Sequence, residues 1–132
     1  MHEANRLLLV DDESGLLDLM RRYLTRLGYE VDAYTNAHAA LQRFESQAGY
    51  YALVVADLSM PGMSGDELLS QVLALNPRIH ILVCSGYQFS KARFPKEVQK
   101  QIGFLQKPFL PKMLAEAVEG LMQGPPGSAD PS

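Results

Sequence analysis

The chain has 132 residues, 47% of them apolar and 20% charged, which is enough for one domain with a sizeable core. Its formal net charge of −3 gives no bulk attraction to nucleic acid or to an anionic membrane, so neither is expected as a partner. The single cysteine, Cys84, excludes an intramolecular disulfide, and the N-terminal apolar run of four residues is too short for a signal peptide. No segment approaches the roughly 18 apolar residues of a membrane span, and we expect a cytoplasmic protein.

Short apolar runs alternate along the chain with segments of helical periodicity. In chain order the predicted elements are strand 7–10, helix 14–27, strand 29–34, helix 37–47, strand 51–56, helix 65–75, strand 79–84, a short fourth helix, strand 103–105 and helix 111–122. Apart from the mixed run at 29–34, the apolar runs are continuous, which is typical of strands buried on both faces. Strands separated by helices indicate parallel pairing through right-handed crossovers. We therefore predict an α/β fold, a doubly wound flavodoxin-like (βα)5 arrangement whose parallel five-stranded sheet has the order 2-1-3-4-5.

Residues at the predicted helix ends support these boundaries. Gly28 is a plausible C-cap for the first helix, and Asn36 and Ser64 precede the second and third helices as N-caps. Pro111 occupies the first position of the last helix, where proline is favoured.

The segment 87–102 and the C-terminal tail are the least regular parts of the chain. Proline inside a helix costs ~3 kcal/mol, so Pro95 predicts a long loop as far as Phe94 and a short helix that begins near Pro95. Residues 124–132 are small, polar and proline-rich. They predict a flexible tail or linker stub beyond a domain of residues 1–123.

Polar side chains follow four of the five predicted strands. Asp11 and Asp12 follow strand 1, Asp57 follows strand 3, Ser85 follows strand 4 and Lys107 follows strand 5. Ligands of open parallel sheets bind outside the carboxyl ends of the strands, where the strand order reverses. In the order 2-1-3-4-5, strands 1 and 3 are neighbours at that point. We therefore predict one pocket that contains the three acids, flanked by the hydroxyl and the amine.

Three neighbouring carboxylates repel one another, and a like-charge pair at 4 Å costs about 4 kcal/mol at an effective dielectric constant near 20. Two solutions are open at this point: the acids are protonated, or a cation lies among them. Carboxylate and carbonyl oxygens together with waters suit Mg²⁺. A phosphate oxygen could complete such a coordination shell, with Lys107 as its positive partner and Ser85 as a hydroxyl donor.

Four motifs in this order resemble the receiver domain of bacterial two-component response regulators, and in particular the chemotaxis regulators. They are LLLVDDE at 7–13, VVADLSMPGMSG at 54–65, ILVCSGY at 81–87 and FLQKPF at 104–109. The resemblance covers residues 6–122. Each motif alone is a weak signal, but the four at these spacings are highly specific.

The resemblance implies a role for each acid. Asp57 corresponds to the phosphoacceptor, which takes a phosphoryl group from the phosphohistidine of a histidine kinase or phosphotransfer protein. Asp12, Asp57 and the backbone carbonyl of Ser59 correspond to direct Mg²⁺ ligands, and Asp11 acts mainly through water. Such a domain is a signalling phosphoacceptor that assists its own phosphorylation and dephosphorylation, not an enzyme.

The resemblance also assigns the residues that respond to the phosphoryl group. Lys107 would pair with it and Ser85 would move towards it, while Phe104 occupies the position of the switch aromatic residue. The Lys107–Pro108 bond is expected to be cis. The signal would reach the face formed by helix 4, strand 5 and helix 5. We expect a monomer or weak dimer, and the downstream target is unknown.

Three rival functions and one question of context follow from the same residues. A haloacid-dehalogenase-type phosphatase needs a second aspartate two residues after the nucleophile, where this chain has Ser59. A flavin or nucleotide binder needs a phosphate-cradling loop, whereas the loop after strand 1 is acidic. A degenerate receiver would lack chemical residues that are all present here.

The domain could be a free-standing regulator or the receiver module of a hybrid sensor histidine kinase. The three histidines, His2, His38 and His80, show no metal-binding spacing.

Overall fold

The computed structural model describes residues 5–47, 49–58, 60 and 62–122. Its centre is a sheet of five parallel strands with the order β2-β1-β3-β4-β5. The strands are β1 (Arg6–Val10), β2 (Glu30–Tyr34), β3 (Leu53–Asp57), β4 (His80–Ser85) and β5 (Ile102–Gln106). The predicted flavodoxin-like fold and strand order are confirmed. β1 and β3 are hydrogen-bonded neighbours, so the strand order reverses between them.

Helices cover both faces of the sheet. They are α1 (Ser14–Arg26), α2 (Ala37–Ser46), α3 (Gly65–Leu75), α4 (Lys96–Gln99) and α5 (Pro111–Met122). α1 and α5 contribute buried residues to the core on one face, and α2 and α3 contribute to the core on the other. This arrangement buries β1, β3 and β4 on both sides, which explains why the sequences of these three strands read as continuous apolar runs.

Local chemistry sets the helix boundaries as predicted. The Asn36 side chain accepts a hydrogen bond from the third residue of α2, and Ser64 caps α3 in the same way. Gly28 follows the last residues of α1 with a φ of 107°. The backbone N–H of Tyr29 then donates to the carbonyl of Leu24, a pattern that satisfies carbonyls left free at the helix end.

The segment between β4 and β5 also follows the prediction, with one addition. Pro95 directly precedes α4, and its carbonyl accepts from the backbone N–H groups of Val98 and Gln99. The long loop before Pro95 contains a short 3-10 turn at Lys91–Arg93 that the sequence pattern did not predict. Such turns are stabilised by single hydrogen bonds and have little periodicity to detect.

Two predictions concern residues outside the described part of the chain. They are the Ser59 carbonyl and the tail at 124–132. Within the described residues, no helix is both long and apolar enough to cross a lipid bilayer.

Candidate functional site

The carboxyl ends of β1 and β3 bring three acids together. Val10 and Ala56 are register partners, so the acids that follow these two residues meet at the same edge of the sheet. Asp11, Asp12 and Asp57 each offer an oxygen atom within 4.8 Å of the others. Asp11 and Asp57 are buried, with 1% and 5% of their surface exposed, whereas Asp12 is exposed. The pocket thus holds two desolvated carboxylates with a third at its mouth.

Lys107 places a positive charge among these acids. Its Nζ lies 2.8 Å from Asp11 Oδ2 and 3.6 Å from Asp57 Oδ2. Burial lowers the pKa of Lys107, but the hydrogen bond to Asp11 and the charges of both acids outweigh it, so the pKa is raised above its ordinary value. The ammonium group is therefore charged at neutral pH and offsets part of the repulsion between the carboxylates.

The backbone fixes Lys107 and Asp11 in this arrangement. The N–H of Lys107 donates to the carbonyl of Ser85 at 2.8 Å, and the Lys107–Pro108 peptide bond is cis. Asp11 Oδ1 accepts from the N–H of Glu13 at 2.9 Å, while Oδ2 accepts from Lys107. Both oxygens of the Asp11 side chain are thus engaged within the protein.

Ser85 is the last residue of β4, next to the register partner of Asp57, and 1% of its surface is exposed. Its Oγ accepts a hydrogen bond of 2.9 Å from the backbone N–H of Tyr87. A hydroxyl that accepts one hydrogen bond keeps its own proton for donation. Ser85 can therefore donate to an anionic group beside it.

Phe104, the candidate switch residue, belongs to a cluster of aromatic rings that the sequence spacing did not predict. Phe104 on β5 stacks against Phe89 with ring centroids 6.3 Å apart, and Phe89 lies 6.2 Å from Phe94. Phe89 belongs to the loop that follows Ser85, and Phe94 lies just before α4. This ring cluster therefore connects the loop beside the pocket to the start of α4. The loop sequence has no helical or strand periodicity from which the contact between Phe89 and Phe104 could be predicted.

Cys84 lies beside the pocket, but its thiol is not a reactive group. It is the register partner of Asp57 and is buried. Burial raises the pKa of its thiol to about 12. A thiol of that pKa is almost wholly protonated at neutral pH, so Cys84 is a small apolar core residue, as its position in an apolar run predicted.

The donor set of the pocket fits a hard divalent cation. Three carboxylates with oxygens this close match the all-oxygen ligands that Mg²⁺ prefers, and the exposure of Asp12 leaves the pocket open to solvent. Both side-chain oxygens of Asp11 are already bonded within the protein, so Asp11 is less available as a direct ligand.

Comparisons with known proteins point to one family. A sequence model of the family described as response regulator receiver domain matches residues 7–119. The chain is 32% identical over 120 residues to the regulatory protein VanRB of Enterococcus faecalis, an alignment that covers 89% of this chain and 52% of VanRB. It is 30% identical over 118 residues to the chemotaxis protein CheY of Thermotoga maritima, covering 87% of this chain and 95% of CheY. The chain therefore spans about half the length of one relative and nearly all of the other.

A solved structure gives the same result at the level of the fold. The crystal structure of the receiver domain from the hybrid histidine kinase CckA matches with a TM-score of 0.78 and 31% sequence identity. The match covers 90% of this chain and 100% of that chain.

Proposed function

This chain belongs to the response regulator receiver domain family, and from that membership and the pocket geometry we propose that Asp57 accepts a phosphoryl group in the presence of Mg²⁺. One observation carries the proposal. The buried Asp57 carboxylate lies within 4.8 Å of two other acids and 3.6 Å from the ammonium group of Lys107. The proposed nucleophile, the proposed cation site and a fixed positive charge thus lie together at one edge of the sheet.

The proposed step is an attack of an Asp57 carboxylate oxygen on the phosphorus of a phosphohistidine. A new O–P bond forms while the P–N bond breaks, and its electron pair leaves on the histidine nitrogen. The phosphoryl group carries negative charge throughout, so the site must neutralise it. Lys107 supplies a charge that is already in place, which costs no reorganisation during the reaction.

The cation ligands are assigned as a proposal. Asp12, Asp57 and the backbone carbonyl of Ser59 hold Mg²⁺ directly, and Asp11 acts through water. When bound, the ion supplies charge neutralisation to the acids and to the phosphoryl oxygens. The engagement of both Asp11 oxygens within the protein supports the indirect role for Asp11.

Ser85 and Phe104 are proposed as the switch. A phosphoryl group on Asp57 presents new acceptor oxygens, and the buried Ser85 hydroxyl can donate to one of them. If Ser85 moves to do so, either its bond to the N–H of Tyr87 is broken or the start of the following loop moves with it. The loop from Ser85 carries Phe89, which stacks on Phe104, so this movement biases the face formed by α4, β5 and α5.

The partners follow from the family. Receiver domains interact with histidine kinases or phosphotransfer proteins, and we propose a cytoplasmic one of these as the phosphoryl donor. The similarity to the receiver of a hybrid kinase favours a second context, in which this domain is a module of a larger sensor kinase. Phosphotransfer profiling against candidate kinases and phosphotransfer proteins would separate the two contexts, because a hybrid receiver prefers the kinase within its own chain.

The direct test is labelling with a small acyl-phosphate donor and Mg²⁺. We expect one base-labile phosphoryl group per chain on wild-type protein and on an Asp18→Asn control, which changes a half-buried acid of α1 that pairs with Arg21 and Arg22. Asp57→Asn should take up none, because an amide is not a nucleophile of this kind. Peptide mapping after labelling would identify the residue. Equal labelling of Asp57→Asn and wild type would refute the assignment.

A further inference from the structure

Glu13 carries a negative charge beside the acidic pocket and has no part in the proposed phosphoryl transfer. It directly follows Asp12 and is the N-cap residue of α1, and its backbone N–H is bonded to Asp11 Oδ1 at 2.9 Å. The Glu13 side chain is exposed and does not cap the helix. Its carboxylate makes no hydrogen bond or ion pair with any residue that the structure describes. The charge is therefore open to a molecule that approaches the pocket.

Glu13 and Lys107 line the same cavity beside the pocket. This cavity has a volume of about 350 Å³. Its other described lining residues are Leu16, Pro108 and Phe109. Lys107 Nζ lies 3.6 Å from Asp57 Oδ2, but Asp57 is not among the described lining residues. The cavity therefore begins beside the proposed reaction site without including the nucleophile, and its volume lies in the range that small ligands occupy, about 300–1,000 Å³.

The two charged residues of the cavity differ in how far the protein neutralises them. The Lys107 ammonium group is 2.8 Å from Asp11 Oδ2, and 20% of the Lys107 side chain is exposed, so its charge is balanced within the pocket. The charge of Glu13 has no such partner in the described part of the chain. A group that enters the cavity therefore meets an unbalanced negative charge beside the apolar side chains of Leu16 and Phe109.

From this arrangement we infer that Glu13 selects the phosphoryl donor, favouring a leaving group with a protonated nitrogen over one that departs with negative charge. The inference rests on the proposed function, because it concerns the leaving side of the same displacement. The attacking and leaving atoms of a phosphoryl transfer are roughly in line, so the leaving group lies on the side of the phosphorus away from Asp57. The cavity beside Lys107 offers a space of suitable size for it.

Donors with nitrogen and oxygen leaving groups differ in charge. In phosphoramidate, and in a phosphohistidine whose other ring nitrogen is protonated, the P–N bond breaks, its electron pair moves to nitrogen, and neutral ammonia or imidazole departs. In acetyl phosphate the P–O bond breaks and its electron pair departs with acetate, which carries a negative charge. A carboxylate beside the leaving group attracts the first kind of donor and repels the second.

An acid at the start of a helix also stabilises the helix through its dipole, and this structural role must be separated from donor selection. A loss of stability or of Mg²⁺ binding changes the amount of active protein, so it slows the reaction with both donors by the same factor. The ratio of the two labelling rates is unaffected by either loss. A change in that ratio therefore reports an interaction with the leaving group.

The test measures phosphorylation of Asp57 by phosphoramidate and by acetyl phosphate, as second-order rates at neutral pH and saturating Mg²⁺. In Glu13→Gln we expect the phosphoramidate rate to fall about twofold and the acetyl phosphate rate to rise about twofold, so that their ratio falls about fourfold, within the range measured for exposed charge pairs. Glu13→Asp keeps the charge and should keep the ratio within about twofold of wild type. Glu45→Gln removes an exposed acid of α2 and is the matched control. In ~1 M salt, where the Debye length is about 3 Å, the difference between Glu13→Gln and wild type should shrink.

The inference fails if phosphoramidate labels Glu13→Gln as fast as wild type, or if the ratio of the two rates is the same in both, while wild type is phosphorylated on Asp57. The proposed function stands in that case. If neither donor labels wild type on Asp57, the proposed function fails and the inference with it. A ratio that falls equally in Glu45→Gln would also overturn the inference, because the effect would then follow the net charge and not the position of Glu13.

Discussion

At the scale of single residues, Lys107 offsets part of the repulsion between the three neighbouring acids. The sequence leaves open whether the acids are protonated or a cation lies among them. The structure places the Lys107 ammonium group 2.8 Å from Asp11 and 3.6 Å from Asp57, so one cation is part of the protein itself. Asp12 remains exposed, and a cation from solvent can reach it. The fixed charge and the proposed metal site therefore complement each other.

Substitution of Lys107 by alanine should slow phosphorylation of Asp57 while leaving the fold intact. The reaction would lose a positive charge beside the phosphoryl group, and we expect a rate lower by roughly tenfold or more. Time courses of labelling with a small acyl-phosphate donor measure the rate, and circular dichroism checks the fold. Lys112→Ala, an exposed change on α5, is the control. An unchanged rate for Lys107→Ala would remove the assigned role.

The same lysine predicts a pH dependence of stability. The pKa of Lys107 is raised above the ordinary value of 10.5, so the folded protein holds this proton more tightly than the unfolded chain does. Its stabilising contribution is complete below pH 10.5 and disappears as the pH rises through the folded pKa. The stability advantage of wild type over Lys107→Ala in urea should therefore shrink above that pH. A constant difference at alkaline pH would contradict the ion pair.

At the scale of elements, the start of α3 depends on a close approach to the end of β3. A Cβ built on Gly65 would lie 2.8 Å from the Cα of Leu58, the residue after Asp57. Real Cβ atoms do not approach backbone so closely, so a side chain at position 65 must displace one of the two segments. Glycine at this position therefore lets α3 begin directly beside the end of β3, where Asp57 is the proposed phosphoacceptor.

Gly65→Ala should destabilise the protein by about 1–3 kcal/mol, the usual cost of overpacking at a site that cannot relax freely. It should also weaken Mg²⁺ binding, because the displaced segment adjoins Asp57. Gly120→Ala is the matched control, since position 120 lies in α5 with no atom near the added methyl group. That change should stabilise the protein by about 0.5–1 kcal/mol. Urea unfolding measures both, and equal effects would show that Leu58 yields without cost.

At the scale of the whole molecule, the pocket collects the ends of four strands. Asp11, Asp57, Ser85 and Lys107 belong to or follow β1, β3, β4 and β5, and their backbones are tied by hydrogen bonds across the sheet. A cation bound there contacts elements that are far apart in sequence. It can bind tightly only when these elements are assembled, so binding and folding are linked.

Mg²⁺ should therefore raise the midpoint of thermal unfolding, and a chelator should reverse the effect. At a free concentration roughly ten times Kd, the free energy of unfolding should rise by about 1.4 kcal/mol. Asp12→Asn should lose most of this rise, because it removes a proposed ligand. Scanning calorimetry with and without Mg²⁺ measures the change. A rise of equal size in Asp12→Asn would place the ion elsewhere.

The sequence alone predicted the sheet order, the helix caps and the identity of the residues at the strand ends. These features depend on local patterns: continuous apolar runs, capping side chains, and polar residues directly after a strand. Such patterns are short-range, because the residue type at each position reflects whether that position is buried or caps a helix. The predicted strand order was then enough to place the carboxyl ends of the strands side by side.

Only the tertiary structure decided which of these residues touch. It placed Asp11 in the interior and Asp12 outside, although they are adjacent, and it paired Asp11 with Lys107 across 96 positions. It also brought His38 to Gly62 from a different element. Contacts of this kind depend on the packing of helices and loops to within an ångström or less, and no periodicity in the chain encodes those distances.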